Sequence, residues 1–368
     1  MRQNSACALK FLCWQSSRLK SLLAALAVWG GLSFSVPVSS PALAEEPAEF
    51  FRGKTVTIFV AVGPGAYDLY ARVLAQHMAQ HIPGQPNVIV NNMPGGGGIV
   101  AANYIANIAP KNGTALLVPL KLLAMTQMLE PANVKYDAAQ FNWIGSMVDA
   151  PGVIMVWNNA PGTTMADAQR TELMLGSTGA GAETMIFPTV INTVLGTKFK
   201  IISGFKGMGD IFLAIERGEI HGVSTVYGSI AGLKPDWLAD KKLRFITQVT
   251  MQRTKELPDT PSVVELGRTA DERATLEFLT LSNSLGRAIT APAGVPEDRV
   301  AALRKAFDTT VNSKAYIDDA KSKGMEINPI QGAVIQRDVK RHIETPAALV
   351  ARVKAALVAA GGGKPGGK

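Results

Sequence analysis

The stretch Lys54-Thr55-Val56-Thr57-Ile58-Phe59-Val60-Ala61-Val62-Gly63-Pro64-Gly65-Ala66-Tyr67-Asp68 carries the reading of the fold. Its first nine residues form an unbroken run rich in β-branched and aromatic side chains, which fits a buried strand. Gly63 to Tyr67 break the run. Asp68 then stands as a helix cap before Tyr70, Val73, Leu74 and Met78, apolar residues at helical spacing. A strand that ends in glycines and opens a helix aims unpaired N–H groups, and the positive end of the helix dipole, at whatever lies beyond it. Gly63, Pro64, Gly65, Ala66, Tyr67 and Asp68 are therefore expected to form an anion site for a carboxylate or phosphate. Gly65 leaves the backbone open to close approach.

The same rhythm continues outward. Asn87 to Asn91 reads as a strand, Pro94 to Gly98 as a turn, Ile99 to Ile108 as a helix and Thr114 to Val118 as a strand. Alternation of this kind predicts an α/β fold with mainly parallel sheets flanked by helices. With 368 residues, two cores are expected rather than one. A second lobe is placed at 153–284, and Leu285 to Ala291 reads as a strand returning to the first, which then spans 45–152 plus 285–368. The glycine-rich end, 361–368, has no side chains to pack and is expected to be disordered. Within the second lobe, Leu173-Met174-Leu175 leads into Gly176-Ser177-Thr178-Gly179-Ala180-Gly181 and a helix from Glu183 to Leu195. That turn, Ser177 to Gly181, repeats the logic of the first. Two such turns face each other if the lobes join at their strand ends. Gly97, in the Gly95 to Gly98 turn, is expected at the same mouth.

Residues 1–44 read as an export leader rather than as part of the fold. Arg2, Lys10, Arg18 and Lys20 precede the apolar run Leu22 to Leu32, and Ala42-Leu43-Ala44 offers a cleavage site after Ala44. The run is shorter than the ~20 residues a membrane span needs. A periplasmic protein follows. Both cysteines, Cys7 and Cys13, lie in the leader, so the mature chain has no disulfide or thiol chemistry. Taking the four leader cations from 37 basic residues leaves 33 against 29 acidic ones, a modest +4 that suits small anions. No basic block with interleaved aromatics points to nucleic acid.

Catalytic and cofactor signatures are poor. Gly63 and Gly65 begin a dinucleotide fingerprint, but Asp68 stands at its third glycine. His77 and His81 share a helix face without a third ligand, and His221 and His342 are isolated. Ser177 lacks a nucleophile elbow, and no Walker motif is present. No metal, no cofactor and no catalysis are expected. A secreted hydrolase using Ser177 is the rival from another class, and a receptor that signals to a sensor kinase is a rival of the same class.

Several motifs, in order, resemble the substrate-binding proteins of tripartite tricarboxylate transporters, the Bug family of extracytoplasmic solute receptors. They are Lys54 to Arg72 with its glycine loop and Asp68, Asn92-Met93-Pro94-Gly95-Gly96-Gly97-Gly98, and Ala109-Pro110-Lys111-Asn112-Gly113-Thr114. Phe205-Lys206-Gly207 with Ala214 to Ile220, and Ala291-Pro292-Ala293-Gly294-Val295-Pro296, complete the set. The resemblance implies a two-lobed clamp of the type II periplasmic-binding-protein kind, acting as a monomer. It also implies a small carboxylate held between Gly63–Asp68 and Ser177–Gly181 and passed to membrane permease subunits. Pro64, Ala66 and Tyr67 stand where many members have Gly, Gly and Thr, and Met93 where Arg is usual. Tyr67 is thereby expected to narrow the pocket or stack on a ligand. Arg287, next to the returning strand, is either a charge partner for the anion or half of an ion pair between the lobes.

Overall fold

Val56, Ile58 and Val60 pack into one core with Tyr70, Leu74 and Phe307, while Phe59 and Ala61 pack into another with Ile105 and Trp143. They belong to β1 (Thr55–Val60) and its exit. Successive side chains of a strand point to opposite faces, so a strand covered on both sides needs apolar residues throughout. The computed structural model describes residues 45–179 and 182–359 of the protein. The leader and the glycine-rich end expected from the sequence lie outside them.

The further strands are β2 (Asn87–Asn92), β3 (Ala115–Val118), β4 (Asn142–Ser146), β5 (Gly152–Trp157) and β6 (Leu173–Ser177). They continue with β7 (Phe199–Ser203), β8 (Gly222–Val226), β9 (Leu243–Val249), β10 (Ala288–Ala291) and β11 (Ile330–Gln331). They form two sheets, in the orders β11-β4-β10-β3-β1-β2 and β7-β6-β8-β5-β9. The fold is a two-lobed α/β architecture, one sheet per lobe. Both sheets share one plan. A parallel trio (β2-β1-β3, and β7-β6-β8) is followed by an antiparallel strand that crosses from the other lobe (β10, and β5), and then by β4 or β9. The sheets are therefore mixed rather than mainly parallel. The crossing strands arrive from the opposite lobe, and that direction of entry sets their orientation.

The crossing segments run side by side. Met147 N–H donates to Arg287 O at 3.0 Å, Arg287 N–H to Val148 O at 3.2 Å, and Ala150 N–H to Asn283 O at 2.9 Å. Gly286 makes this approach possible, because a Cβ there would lie 2.5 Å from the Val148 carbonyl oxygen. The residues after β10 are mostly helical. The last helix, Ala347–Leu357, departs from the expected division, which put all of 285–368 with the first lobe. Its Leu349, Val350 and Val353 pack against Phe187 and Leu276 beside the second sheet. An apolar face at helical spacing is buried wherever a matching face is open, and here that face belongs to the other lobe.

His342 lies at the end of the Gly332–Ile343 helix and is fully buried, its ring edge-on to Phe278 at 5.0 Å. Neither ring nitrogen has a hydrogen-bond partner among the described residues. Burial lowers its pKa from 6.5 to about 3, so the folded protein holds it neutral.

Candidate functional site

The first wall of the cleft gathers at the carboxyl ends of the parallel strands β1 and β3, where ligands of α/β sheets collect. The loop after β1 enters the helix Ala66–Met78, whose N-cap is Gly65. The expected cap, Asp68, is instead the third residue of the helix, within its first turn. Its carboxylate accepts from Arg72 Nε at 2.9 Å. Arg72 Nη2 donates to Asn92 Oδ1 at 3.1 Å, and Asn92 Nδ2 donates to Val62 O at 2.9 Å. This chain ties the glycine loop to β2. The Arg72 hydrogen bond also holds the Asp68 carboxyl below the usual carboxylate range.

Tyr67, the second residue of that helix, organises the wall. Its ring lies under the Arg287 guanidinium, 4.0 Å from centroid to Cζ, and its hydroxyl accepts from the Lys121 backbone N–H at 3.3 Å. Burial raises the Tyr67 phenol pKa, and the Arg287 charge partly offsets this. Arg287 Nη1 donates to Gly286 O at 2.7 Å, while Nε is buried without an acceptor among the described residues. Lys121, three residues beyond β3, is buried. Its ammonium pairs with the Glu183 carboxylate of the other lobe and lies 5.6 Å from the Phe187 ring.

The second wall is built from β6, the turn after it, and the helix Glu183–Leu195. Here the expectation of free backbone donors meets a correction. Thr178 N–H donates to Thr184 Oγ1 at 3.2 Å, and Gly179 N–H to Ser177 Oγ at 3.2 Å. Ser177 is fully buried, and its hydroxyl lies 3.2 Å from that of Thr184. Hydroxyl and turn backbone satisfy each other, and no imidazole is among these partners. A hydrolase built on Ser177 is unsupported.

Tyr67, Gly97, Thr178, Gly179 and Arg287 line one cavity of about 470 Å³, together with Lys121 and Glu183. Gly97 has φ +63°, a left-handed conformation that glycine adopts without strain. Of the remaining expected residues, Pro64, Gly65 and Ala66 are exposed and Gly63 is half-buried. None of these four is on the cavity wall. Ala66 lines an adjoining cavity of about 320 Å³ with Tyr70, Asp149 and Glu326. The first jaw thus presents Tyr67 where backbone was expected, because the helix starts early and carries the phenol inward. Ala180 and Gly181 lie outside the described residues. Sequence reasoning missed Lys121, Glu183 and Thr184. One signal was available: a lone lysine just past an all-apolar strand, at the sheet end where ligands bind.

A model of the family described as "Tripartite tricarboxylate transporter family receptor" matches residues 70–352. The chain belongs to this family. The receptor is 27% identical over 319 residues to a UPF0065 protein of Agrobacterium vitis from the ttuE-ttuC' intergenic region, covering 82% of this chain and 80% of that one. Its fold is shared with a TctC solute-binding protein from Polaromonas (TM-score 0.61, 20% identity, 81% of this chain and 98% of that one). It is shared as well with the R. palustris protein Rpa4515, solved with adipate (TM-score 0.59, 21% identity, 84% and 97%). The expected family, and with it the role of a transporter receptor, stands on the family match, and the two-lobed fold on the solved structures.

Proposed function

We propose that the cavity of about 470 Å³ is where this receptor holds its carboxylate, with Arg287 as the anchor and Tyr67 as the platform beneath it. The observation that carries this reading is a guanidinium between the two lobes that keeps a buried, unpartnered Nε and no ion-pair carboxylate among the described residues. A charge so placed favours an anion with planar, bidentate geometry. Either carboxylate of the adipate in the R. palustris relative has this planar geometry, which supports a carboxylate, though not the number of them, as the group held. Thr178 and Gly179 shape the wall of the second lobe, and Gly97 adds to that of the first. The two lobes, 45–152 with the returning segment and 153–284, hinge at the paired crossing segments, and the ligand is bound and released without being transformed. Cleavage after Ala44 delivers the protein to the periplasm, where it presents the carboxylate to membrane permease subunits.

Ligand contacts both walls only when the lobes are closed, so binding should favour the closed form. A thermal-shift screen against aliphatic and aromatic carboxylates tests the binding. A ligand at 100 times its Kd adds about 2.7 kcal/mol of stability. Small-angle scattering with the best ligand should then show a smaller radius of gyration. A rise in melting temperature at constant radius would retain the site and discard the clamp.

A further inference from the structure

Three charged side chains line the cavity, and their balance restricts what it accepts. Lys121 and Arg287 are cations, and Glu183 is an anion. Glu183 is the first residue of a 13-residue helix, so its carboxylate lies at the positive end of that helix dipole. The same carboxylate pairs with the buried Lys121 ammonium. The helix N-terminus of the second wall and the Lys121 ammonium facing it from the first are therefore both met by the one Glu183 carboxylate. The neighbouring N–H groups of Thr178 and Gly179 are taken by Thr184 and Ser177. Arg287 is left as the one cation of the lining without a carboxylate partner among the described residues. The rest of the wall sets the apolar Leu120, Leu122, Met208 and Val226 and the Tyr67 ring beside the hydroxyls of Thr126, Thr225 and Ser229, and most of its surface is apolar.

The geometry points to a ligand with one carboxylate and an apolar body, and to Glu183 as the residue that rejects a second carboxylate. This inference rests on the carboxylate-receptor reading above. With one carboxylate on Arg287, a second group at the far end of the ligand meets the Glu183 side. No cation of the lining is free there, and two like charges then share one cleft. That is discrimination by a repulsive element as well as an attractive one. Neutralising Glu183 would release Lys121 and convert the lining from one net positive charge to two.

Calorimetry on the mature receptor with matched acids tests this, using butyrate against succinate, hexanoate against adipate, and octanoate against suberate. For the chain length that binds best, the monoacid should bind about tenfold tighter or more. In Glu183→Gln the ratio should reverse in favour of the diacid, with the monoacid still bound. In Lys121→Met/Glu183→Gln, where Arg287 alone remains, the monoacid preference should return. A wild-type receptor that binds the diacid as tightly as the monoacid overturns the inference and leaves the carboxylate reading standing, whether or not either variant folds. Reversal absent in a folded Glu183→Gln variant overturns the role of Glu183. Failure of every acid, mono or di, to bind the wild type would remove the underlying reading and the inference together.

Discussion

Arg287→Met is expected to weaken carboxylate binding about 100-fold, the loss of roughly 3 kcal/mol associated with a charged, partly desolvated hydrogen-bonded pair. Methionine keeps the packing of the stem against the Tyr67 and Tyr70 rings, which now lie 4.0 and 5.5 Å from the guanidinium. It removes the charge and the planar fork. Arg287→Lys restores charge without the fork and should recover only part of the affinity. Because no ion-pair partner of Arg287 is seen among the described residues, the ligand-free melting temperature of Arg287→Met should stay close to that of the wild type. Isothermal titration on both variants, beside a melt without ligand, separates the roles. Wild-type affinity in a folded Arg287→Met receptor would move the anchor elsewhere in the cavity.

The second large effect is on stability as a function of pH. His342 is neutral in the folded protein, with its pKa lowered by burial to about 3. In the unfolded chain it takes up a proton below about 6.5. Folding then opposes protonation, so the contribution of His342 is intact above pH 6.5 and is lost progressively as pH falls toward 3. The slope in that window is about 1.4 kcal/mol per pH unit, which amounts to a loss of about 2 kcal/mol at pH 5. His342→Phe keeps an aromatic ring beside Phe278 and removes the titration. Urea unfolding of both proteins at pH 7, 5.5 and 4.5 should show the two stability curves diverging by that slope. Parallel curves would mean that His342 is not held neutral by burial.

Much of the fold was legible because its strands are covered on both faces and so announce themselves as apolar runs. β1, β2, β3 and β6 stand where their apolar runs placed them, within the usual drift at their ends. β4 escaped because Asn142-Trp143-Ile144-Gly145-Ser146 carries a glycine whose place is set by tertiary packing. A Cβ on Gly145 would lie 2.1 Å from the Phe307 ring, 162 positions further along the chain. The candidate site was half legible. Glycine turns mark where chain meets cleft, so Tyr67, Gly97, Thr178 and Gly179 were within reach. The Lys121–Glu183 pair was not, because its partners lie on different lobes and nothing local in either segment names the other. Satisfaction of the second turn by Ser177 and Thr184 was likewise invisible, since it depends on a hydroxyl seven positions away folding back.

The shared strand plan has a consequence for the order in which the protein can be assembled. β10 lies between β3 and β4, and it follows every strand of the second sheet in the chain. Until residues 288–291 are in place, the first sheet is two fragments with unpaired edges facing each other. The second sheet draws all five of its strands from residues 152–249, so its contacts close over shorter loops. Folding should therefore begin in the middle of the chain and end by threading one late strand into the sheet built from its earlier part. In pulse-labelled hydrogen exchange during refolding, amides of β6 and β8 should gain protection before those of β3 and β4, and simultaneous protection of both sheets would refute this order. An N-terminal fragment ending before residue 288 would keep every strand of the second sheet but leave the first in pieces with open edges, and aggregation is its expected fate.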